Sequence, residues 1–364
     1  MTTSLALAGA QNQLVSLAIA LKNKGWDIGI ISMIPPQAYL AELKEQNIFV
    51  YSLDMQRGKI DWRALFRLVK ILKKVHPDIL HCHMVHANLL GRIARIFVSI
   101  PVVVSSAHNV YEGGRERNWW YRLTDFLCDM TTQVSKDGVR RYVACKMVNP
   151  KKIAFLPNGI DIQKFNENLK IRQQKREELK IGQYFVWLAV GRFDEAKDYG
   201  NMISAFSVLH RDSPNNILLI AGDGDLRFSI GELVSKKNLT GAVKFLGVQQ
   251  DISGLMNTAD AYVMSSAWEG MPMVLLEAAA SCLPVVATDV GGNKEIVQEG
   301  RTGFLVPSKQ PGKLAEAMLK ISQLPDRARR EMGQAGRKYV EENYSLEEIT
   351  TKWEELYSKL SNIK

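Results

Sequence analysis

The sequence predicts an α/β protein of two doubly wound domains, each built on a parallel sheet. Three observations lead there. A length of 364 residues is that of two average domains. Short, near-continuous apolar runs alternate with amphipathic helical patterns, as they do in parallel sheets covered on both faces. The alternation breaks once, at 156–183, where a Pro-Asn-Gly turn leads into a charged, poorly apolar stretch.

In the first half the apolar runs are DIGIIS, IFVYSL, DILHCH, PVVVSSAH and TTQVS. In the second half they are YFVWLAV, NILLIAG, VKFLG, AYVMSS, PVVAT and GFLVP. Amphipathic helices such as 61–75 and 313–322 lie between them. The expected organisation is a first domain over 1–155, a linker over 156–183, a second domain over 184–340 and a C-terminal helix within 341–364, free to pack back across the boundary. The N-terminus is anomalous. The turn-like LAGAQ follows only MTTSLA, so the first strand is either very short or its native start lies upstream.

Composition narrows the class. No apolar run approaches the ~18 residues that span a bilayer, and no basic segment followed by an apolar one marks a signal peptide. Cys82, Cys128, Cys145 and Cys282 show no paired spacing, so they are read as reduced and the compartment as cytoplasmic. The net charge of +9 is uneven: residues 1–160 hold 21 Lys and Arg against 11 Asp and Glu. A basic half faces a membrane surface, a phosphorylated substrate or nucleic acid, or is simply a solvated surface. On the helix at 61–75, Arg63, Arg67, Lys70 and Lys74 form one stripe, with Trp62, Leu65, Leu68, Val69 and Leu72 opposite.

Several turns carry candidate chemistry. LAVGRFDEAKDYG (188–200) is strand, turn and helix start: Gly191 permits the turn, and Arg192 and Lys197 flank a helix N-terminus, a cradle for a diphosphate or an ordinary surface loop. LLIAGDGDLR (218–227) repeats the pattern at Gly222. Its Asp223-Gly224-Asp225 reads as a strand-end turn rather than a metal site. No G-x-G-x-x-G fingerprint accompanies these turns, which argues against an NAD enzyme. His81 and His83 share a strand face, but no further ligand type stands near them, so no metal is expected. His108 ends the strand PVVVSSAH, at the edge where doubly wound sheets bind ligands. Beyond it, GGRERNWWYR mixes Arg115, Arg117 and Arg122 with Trp119 and Trp120, a composition suited to sugar stacking or a membrane interface. Glu269 and Glu277, eight positions apart in SSAWEGMPMVLLEAAASCLPVVATDVGG, place one carboxylate in a turn and one in an apolar helix. Carboxylates are rarely buried without a partner.

Together these residues resemble the family-4 retaining glycosyltransferases, which have the two-domain GT-B fold with a cleft between the domains. Glu269 and Glu277 match the family's E-x7-E motif. LPVVATDVGGNKEIV, GRTGFLVP, PNGID, VGRFDEAKDYG, AGDGDLR, VKFLG and PDILHCH follow in the family's order. The resemblance implies that Gly191, Arg192, Lys197 and Gly222 hold the donor diphosphate, and that Glu277 accepts from the nucleotide ribose. Glu269 and the backbone of Gly270, Met271, Pro272, Met273 and Val274 would meet the donor sugar and phosphate, with Leu305 on the donor side. Gly9 would approach the diphosphate from the first domain. His108 would stand beside the reacting carbon, with Asn109, Arg115 and Trp119 on the acceptor side. His108, Glu269, Arg192 and Lys197 are thus the candidate catalytic set, and no cofactor or metal is implied. The match departs from the family at Ala8-Gly9-Ala10-Gln11, usually Gly-Gly-Ala-Glu, at Ala107, often Thr, and at Met271-Pro272, where a further Gly is common.

The implied reaction moves a sugar from a nucleotide sugar to a glycan or lipid-linked acceptor of the cell envelope, on the inner face of the cytoplasmic membrane. An anionic membrane surface would be the partner, and no nucleic acid. A nucleotide-sugar epimerase or a non-catalytic sugar-nucleotide-binding subunit fits the same fold.

Overall fold

The computed structural model describes residues 1–59 and 61–362; Ile60, Ile363 and Lys364, all inside the expected domain ranges, lie outside the described residues. The chain divides into two compact units, one comprising Met1–Gly159 with Leu346–Lys364, the other Ile160–Ser345.

The first unit contains strands β1 (Gly29–Ser32), β2 (Phe49–Ser52), β3 (Ile79–His83), β4 (Val102–Ala107), β5 (Met130–Gln133) and β6 (Ile153–Phe155). Its helices are α1 (Gly9–Asn23), α2 (Leu40–Glu45), α3 (Arg63–Val75), α4 (Val85–Ala94), α5 (Arg115–Thr124) and α6 (Lys136–Ala144). β1 pairs with β2, and β3 through β6 form a second ribbon, all parallel. Thr2 joins the two ribbons through parallel bridges to Ser32 and His83. The Thr2 N–H donates to the Ile31 carbonyl at 2.8 Å, and His83 N–H donates to the Met1 carbonyl at 2.9 Å. Thr2 thus stands as a single bridge at the central position of the sheet. The Met1 amino group reaches the His81 carbonyl at 2.6 Å.

The second unit contains β7 (Phe185–Val190), β8 (Asn216–Ala221), β9 (Val243–Gly247), β10 (Ala261–Met264), β11 (Val285–Thr288) and β12 (Gly303–Val306). Its helices are α7 (Leu169–Glu178), α8 (Tyr199–Asp212), α9 (Arg227–Lys236), α10 (Ile252–Thr258), α11 (Met273–Ala280), α12 (Asn293–Ile296), α13 (Pro311–Gln323) and α14 (Asp326–Tyr344). The parallel sheet runs β12-β11-β10-β7-β8-β9. In chain order this is 3-2-1-4-5-6, the doubly wound arrangement, with its switch point between β7 and β10. β8 is buried at every position, so NILLIA reads as one apolar run without alternation. Trp187, Phe193 and Phe206 anchor the core.

Helix α15 (Leu346–Asn362) follows and belongs to the first unit. Ile349, Trp353, Tyr357 and Leu360 pack with Leu17, Leu21, Val102 and Val104, so the C-terminal helix, which lies within the expected 341–364, packs on the first unit.

Two expectations need revision. Only 156–159 of the expected linker belong to the first unit; from Ile160 on it is part of the second. α7 has no buried residue, yet it is anchored: Arg172 and Arg176 pair with Asp260 at 2.5 and 3.2 Å, and Arg172 also donates to the carbonyls of Asn257, Thr258 and Ala259 at the end of α10. Cations do here what an apolar stripe does elsewhere, which is why the segment reads as a linker. On α3, Trp62 is exposed, not on the buried face, and the helix buries only Ala64, Leu68 and Leu72.

Candidate active site

At the switch point of the second unit, the turn after β7 meets the turn after β10. Lys197 Nζ donates to Glu269 Oε1 at 2.6 Å, and Ser266 Oγ donates to the same oxygen at 2.8 Å. The two turns are stitched by Ala267 N–H to the Ala196 carbonyl at 2.7 Å and by Ser265 Oγ to the Lys197 carbonyl at 2.8 Å. Glycines permit the approach. Gly222, at φ +136°, lies so close to Gly191 that a Cβ would collide with its carbonyl, and Gly291, at φ +54°, lies equally close to the Glu269 carbonyl. Gly292 N–H then donates to the Gly270 carbonyl at 2.6 Å. Arg192 is exposed and pairs with Asp194 at 3.1 Å.

α11 begins at Met273, and Pro272 is its cap rather than part of the first turn. Pro272 has no N–H to offer a ligand, so the amides available at this helix start are those of Met273 and Val274. Glu277 sits just over one turn in, 6% exposed, and among the described residues no side-chain hydrogen bond reaches its carboxylate. Burial pushes it up to about 7, opposed only by the Lys164 cation.

In the first unit the ends of β3 and β4 gather three histidines. His83 Nδ1 and His108 Nε2 lie 3.0 Å apart, their rings stacked. His81 uses both nitrogens, with Tyr357 Oη and Ser106 Oγ each at 2.6 Å, and its ring lies 3.9 Å from that of His83. Ser106 Oγ continues to Thr132 Oγ1 at 2.6 Å. Burial lowers His81 and His83 well below the ordinary imidazole value and His108 to about 4. Among the described residues, the His108 Nδ1 has no hydrogen-bond partner. Its loop is held by Glu112, which accepts from the His108 N–H at 3.3 Å and from Tyr121 and Tyr142 Oη at 2.8 and 2.9 Å. At the start of α1, Gln11 Nε2 donates to Ser4 Oγ at 3.1 Å and touches Met84 Sδ at 3.8 Å, tying this helix end to the end of β3.

Comparison with known proteins decides the family. The family model for glycosyl transferases group 1 matches residues 170–339, and that for glycosyltransferase family 4 matches 7–164. The chain belongs to the group 1, family-4 glycosyltransferases. A UDP-Gal:alpha-D-GlcNAc-diphosphoundecaprenol alpha-1,3-galactosyltransferase of Escherichia coli is 28% identical over 87% of this chain and 85% of its own. The capsular polysaccharide biosynthesis glycosyltransferase CapM of Staphylococcus aureus is 26% identical over 93% and 90%. Among solved structures, Anabaena HepE in complex with UDP-glucose superposes with a TM-score of 0.85 at 19% identity, covering 98% of this chain and 99% of that one. The GT-B fold is thereby shown; the family models and the two relatives show a glycosyltransferase of glycan biosynthesis.

For this glycosyltransferase the residues expected from sequence fall into three groups. Gly191, Lys197, Gly222, Glu269 and Gly270 are brought together as one set, with Arg192 beside them and Met271, Pro272, Met273, Val274 and Glu277 following. Gly9 is the first residue of α1, and His108 follows β4, each within the first unit. The remainder are not drawn into either set. Leu305 N–H donates to Glu299 at 2.7 Å, and the Asn109 carbonyl accepts from Gln133 at 2.8 Å. Arg115 and Trp119 lie exposed on α5. Ser266 and Glu112 were missed, because a serine and a loop glutamate carry no spacing signal, and His83 was weighed only as a metal ligand beside His81, not as the partner of His108. The Gly291-Gly292 pair in the motif's flank was the available clue to the backbone support.

Proposed function

We propose that this glycosyltransferase transfers a hexosyl group, with retention, from a UDP-type nucleotide sugar to a hydroxyl of a lipid-linked glycan at the inner face of the cytoplasmic membrane. The observation that carries the reading is the Lys197–Glu269 pair at the β7/β10 switch point, a pre-aligned cation where doubly wound sheets take nucleotides. The E. coli relative's diphosphoundecaprenol acceptor and the UDP-glucose in HepE support the choice of acceptor and donor class.

In this reading Arg192, Lys197 and the Met273 and Val274 amides receive the diphosphate as negative charge builds on it. The bond between the anomeric carbon and the β-phosphate oxygen breaks, and the acceptor oxygen bonds to the same face of that carbon. The acceptor proton passes to a diphosphate oxygen. Glu269 commits one oxygen to Lys197 and Ser266, so it serves as support for the cation and not as a nucleophile. These cations stand in for a metal ion.

The test is incubation with UDP-glucose, UDP-galactose and UDP-N-acetylglucosamine and a polyprenyl-diphosphate-linked sugar, with anomeric configuration read by NMR. An α-linked product that survives EDTA is expected. A β-linked product sinks retention. An altered sugar still on UDP means an epimerase, and donor binding without any product means a non-catalytic sugar-nucleotide-binding subunit.

A further inference from the structure

The strand order places three helices of the first unit in one layer. With the Thr2 bridge in the sheet, the order is β2-β1-Thr2-β3-β4-β5-β6, and the connections β2→β3, β3→β4 and β4→β5 all step the same way. Right-handed crossovers then put α3, α4 and α5 on one face, and α3 packs on α4 and α4 on α5. The steps to β1 and β2 run the opposite way, which puts α1 on the other face, where α15 packs on it.

The outer surface of the α3–α4–α5 layer is unusually apolar. Trp62, Phe66, Phe97, Trp119, Trp120 and Phe126 are between 46% and 73% exposed, too many large aromatics on one layer for scattered surface residues. Four of them meet in pairs. Trp62 and Phe66 meet edge to face at 5.9 Å, and Trp119 and Trp120 do so at 5.0 Å. Cations predominate on the same helices. Arg63, Lys70, Lys73 and Lys74 are exposed on α3, which contains no acidic residue, and Arg115, Arg117 and Arg122 are exposed on α5 against one exposed carboxylate there, Glu116. The nearby Asp61 is neutralised by Arg67.

We infer that this layer is the surface by which the protein docks on an anionic lipid bilayer, with the six aromatics entering the headgroup region and the lysines and arginines meeting lipid phosphate. Tryptophan settles at the bilayer interface because its ring is amphipathic, and basic side chains add attraction to anionic headgroups. A second copy of the chain is the weaker occupant. A twofold contact would place the basic α3 stripe against itself or its neighbours, like charge on like. The inference rests on the reading that the acceptor is lipid-linked, and it supplies the face that meets the lipid.

Its test uses vesicles that contain neither donor nor acceptor, so its outcome is independent of turnover. The full chain is sedimented with phosphatidylcholine vesicles and with vesicles containing phosphatidylglycerol. Binding is expected only to the latter, with a blue shift of tryptophan emission and loss at high salt. Trp62→Ser/Phe66→Ser and Trp120→Ser/Phe126→Ser should each weaken it about tenfold or more. Lys70→Gln/Lys73→Gln should weaken it about thirtyfold. Unchanged melting temperatures and UDP-glucose binding show that the variants are folded. Failure of the wild type to bind, equal binding to neutral vesicles, or binding that none of the variants alters overturns the inference. So does a concentration-dependent dimer that the aromatic variants dissolve, which assigns the layer to self-association. Vesicle binding without glycosyl transfer would leave the inference standing and count against the proposed reaction alone.

Discussion

At the carboxyl ends of β7 and β10 the second unit gathers a cation, a carboxylate and close-packed glycines; at the ends of β3 and β4 the first gathers three closely packed histidines. Both are switch-region sites on parallel sheets, yet they solve burial differently. The Lys197–Glu269 pair keeps its charges and cancels them at 2.6 Å. The histidines shed theirs, since burial holds all three below the ordinary imidazole value. An ionic site suits a leaving group that gains charge, and a neutral polar one suits a hydroxyl acceptor.

The largest expected effect breaks the ionic side. Lys197→Ala removes the aligned cation and leaves Glu269, 12% exposed at its side chain, with Ser266 as its remaining partner. By analogy with the loss of one preorganised charge-stabilising donor, turnover should fall about 10²–10³-fold. Glu269→Gln keeps the shape but not the charge and should cost less than Glu269→Ala. Steady-state kinetics with a nucleotide-sugar donor compare the three. Equal, negligible losses would mean that the pair only braces the turn.

Glu277 sharpens the comparison through pH. It does not touch the reacting carbon in this reading, so Glu277→Ala should chiefly raise the donor Michaelis constant, roughly ten- to a hundredfold for a charged hydrogen bond. Its carboxyl titrates near 4.5 when unfolded and at about 7 when folded. The native state therefore binds more protons between these values, and stability falls as pH rises through that window. Glu277→Gln should remove this penalty, raising stability at pH 8 relative to pH 5 by up to about 3 kcal/mol. The histidines slope the other way. With folded values depressed, their contribution is intact above pH 6.5 and is lost as pH falls toward 4. Urea titrations of wild type and Glu277→Gln at several pH values decide it; parallel profiles would remove Glu277 from the account.

Legibility followed the same division. Gly191, Lys197, Glu269 and Glu277 could be read because glycine turns and spaced carboxylates at strand ends are required by charge and close approach, and these leave local marks. α7 could not, because its anchor, Asp260, lies 84 and 88 residues away in sequence from Arg176 and Arg172. The first strand was legible only as an anomaly, since a one-residue bridge has no periodicity. Trp62 was misplaced because helical phase puts it near the apolar stripe, while the packing stops at Ala64, Leu68 and Leu72. His83 and His108 stand apart in the sequence and meet only through the β3–β4 register, in which His83 faces Ser106.

That last pair gives the smallest predicted effect. His83 Nδ1 and His108 Nε2 share one proton across 3.0 Å, so the tautomer of either ring dictates that of the other. In the proposed reading His83 holds His108 and does not meet the acceptor, so its removal should cost orientation alone, about tenfold in turnover with the donor Michaelis constant unchanged. Chemistry provides a control. An asparagine amide places a polar atom near the position of imidazole Nδ1, so His83→Asn should recover most of what His83→Ala loses, whereas an equally small apolar residue should not. His83→Ala also removes a ring packed 3.9 Å from that of His81, so melting temperatures must be measured alongside. Nitrogen-15 spectra of the His108 ring should show one fixed tautomer in wild type and His83→Asn and a mixture in His83→Ala. If His83→Ala melts lower yet turns over normally when folded, or if the His108 tautomer is indifferent to position 83, the pair is packing and the neutral side of the comparison fails.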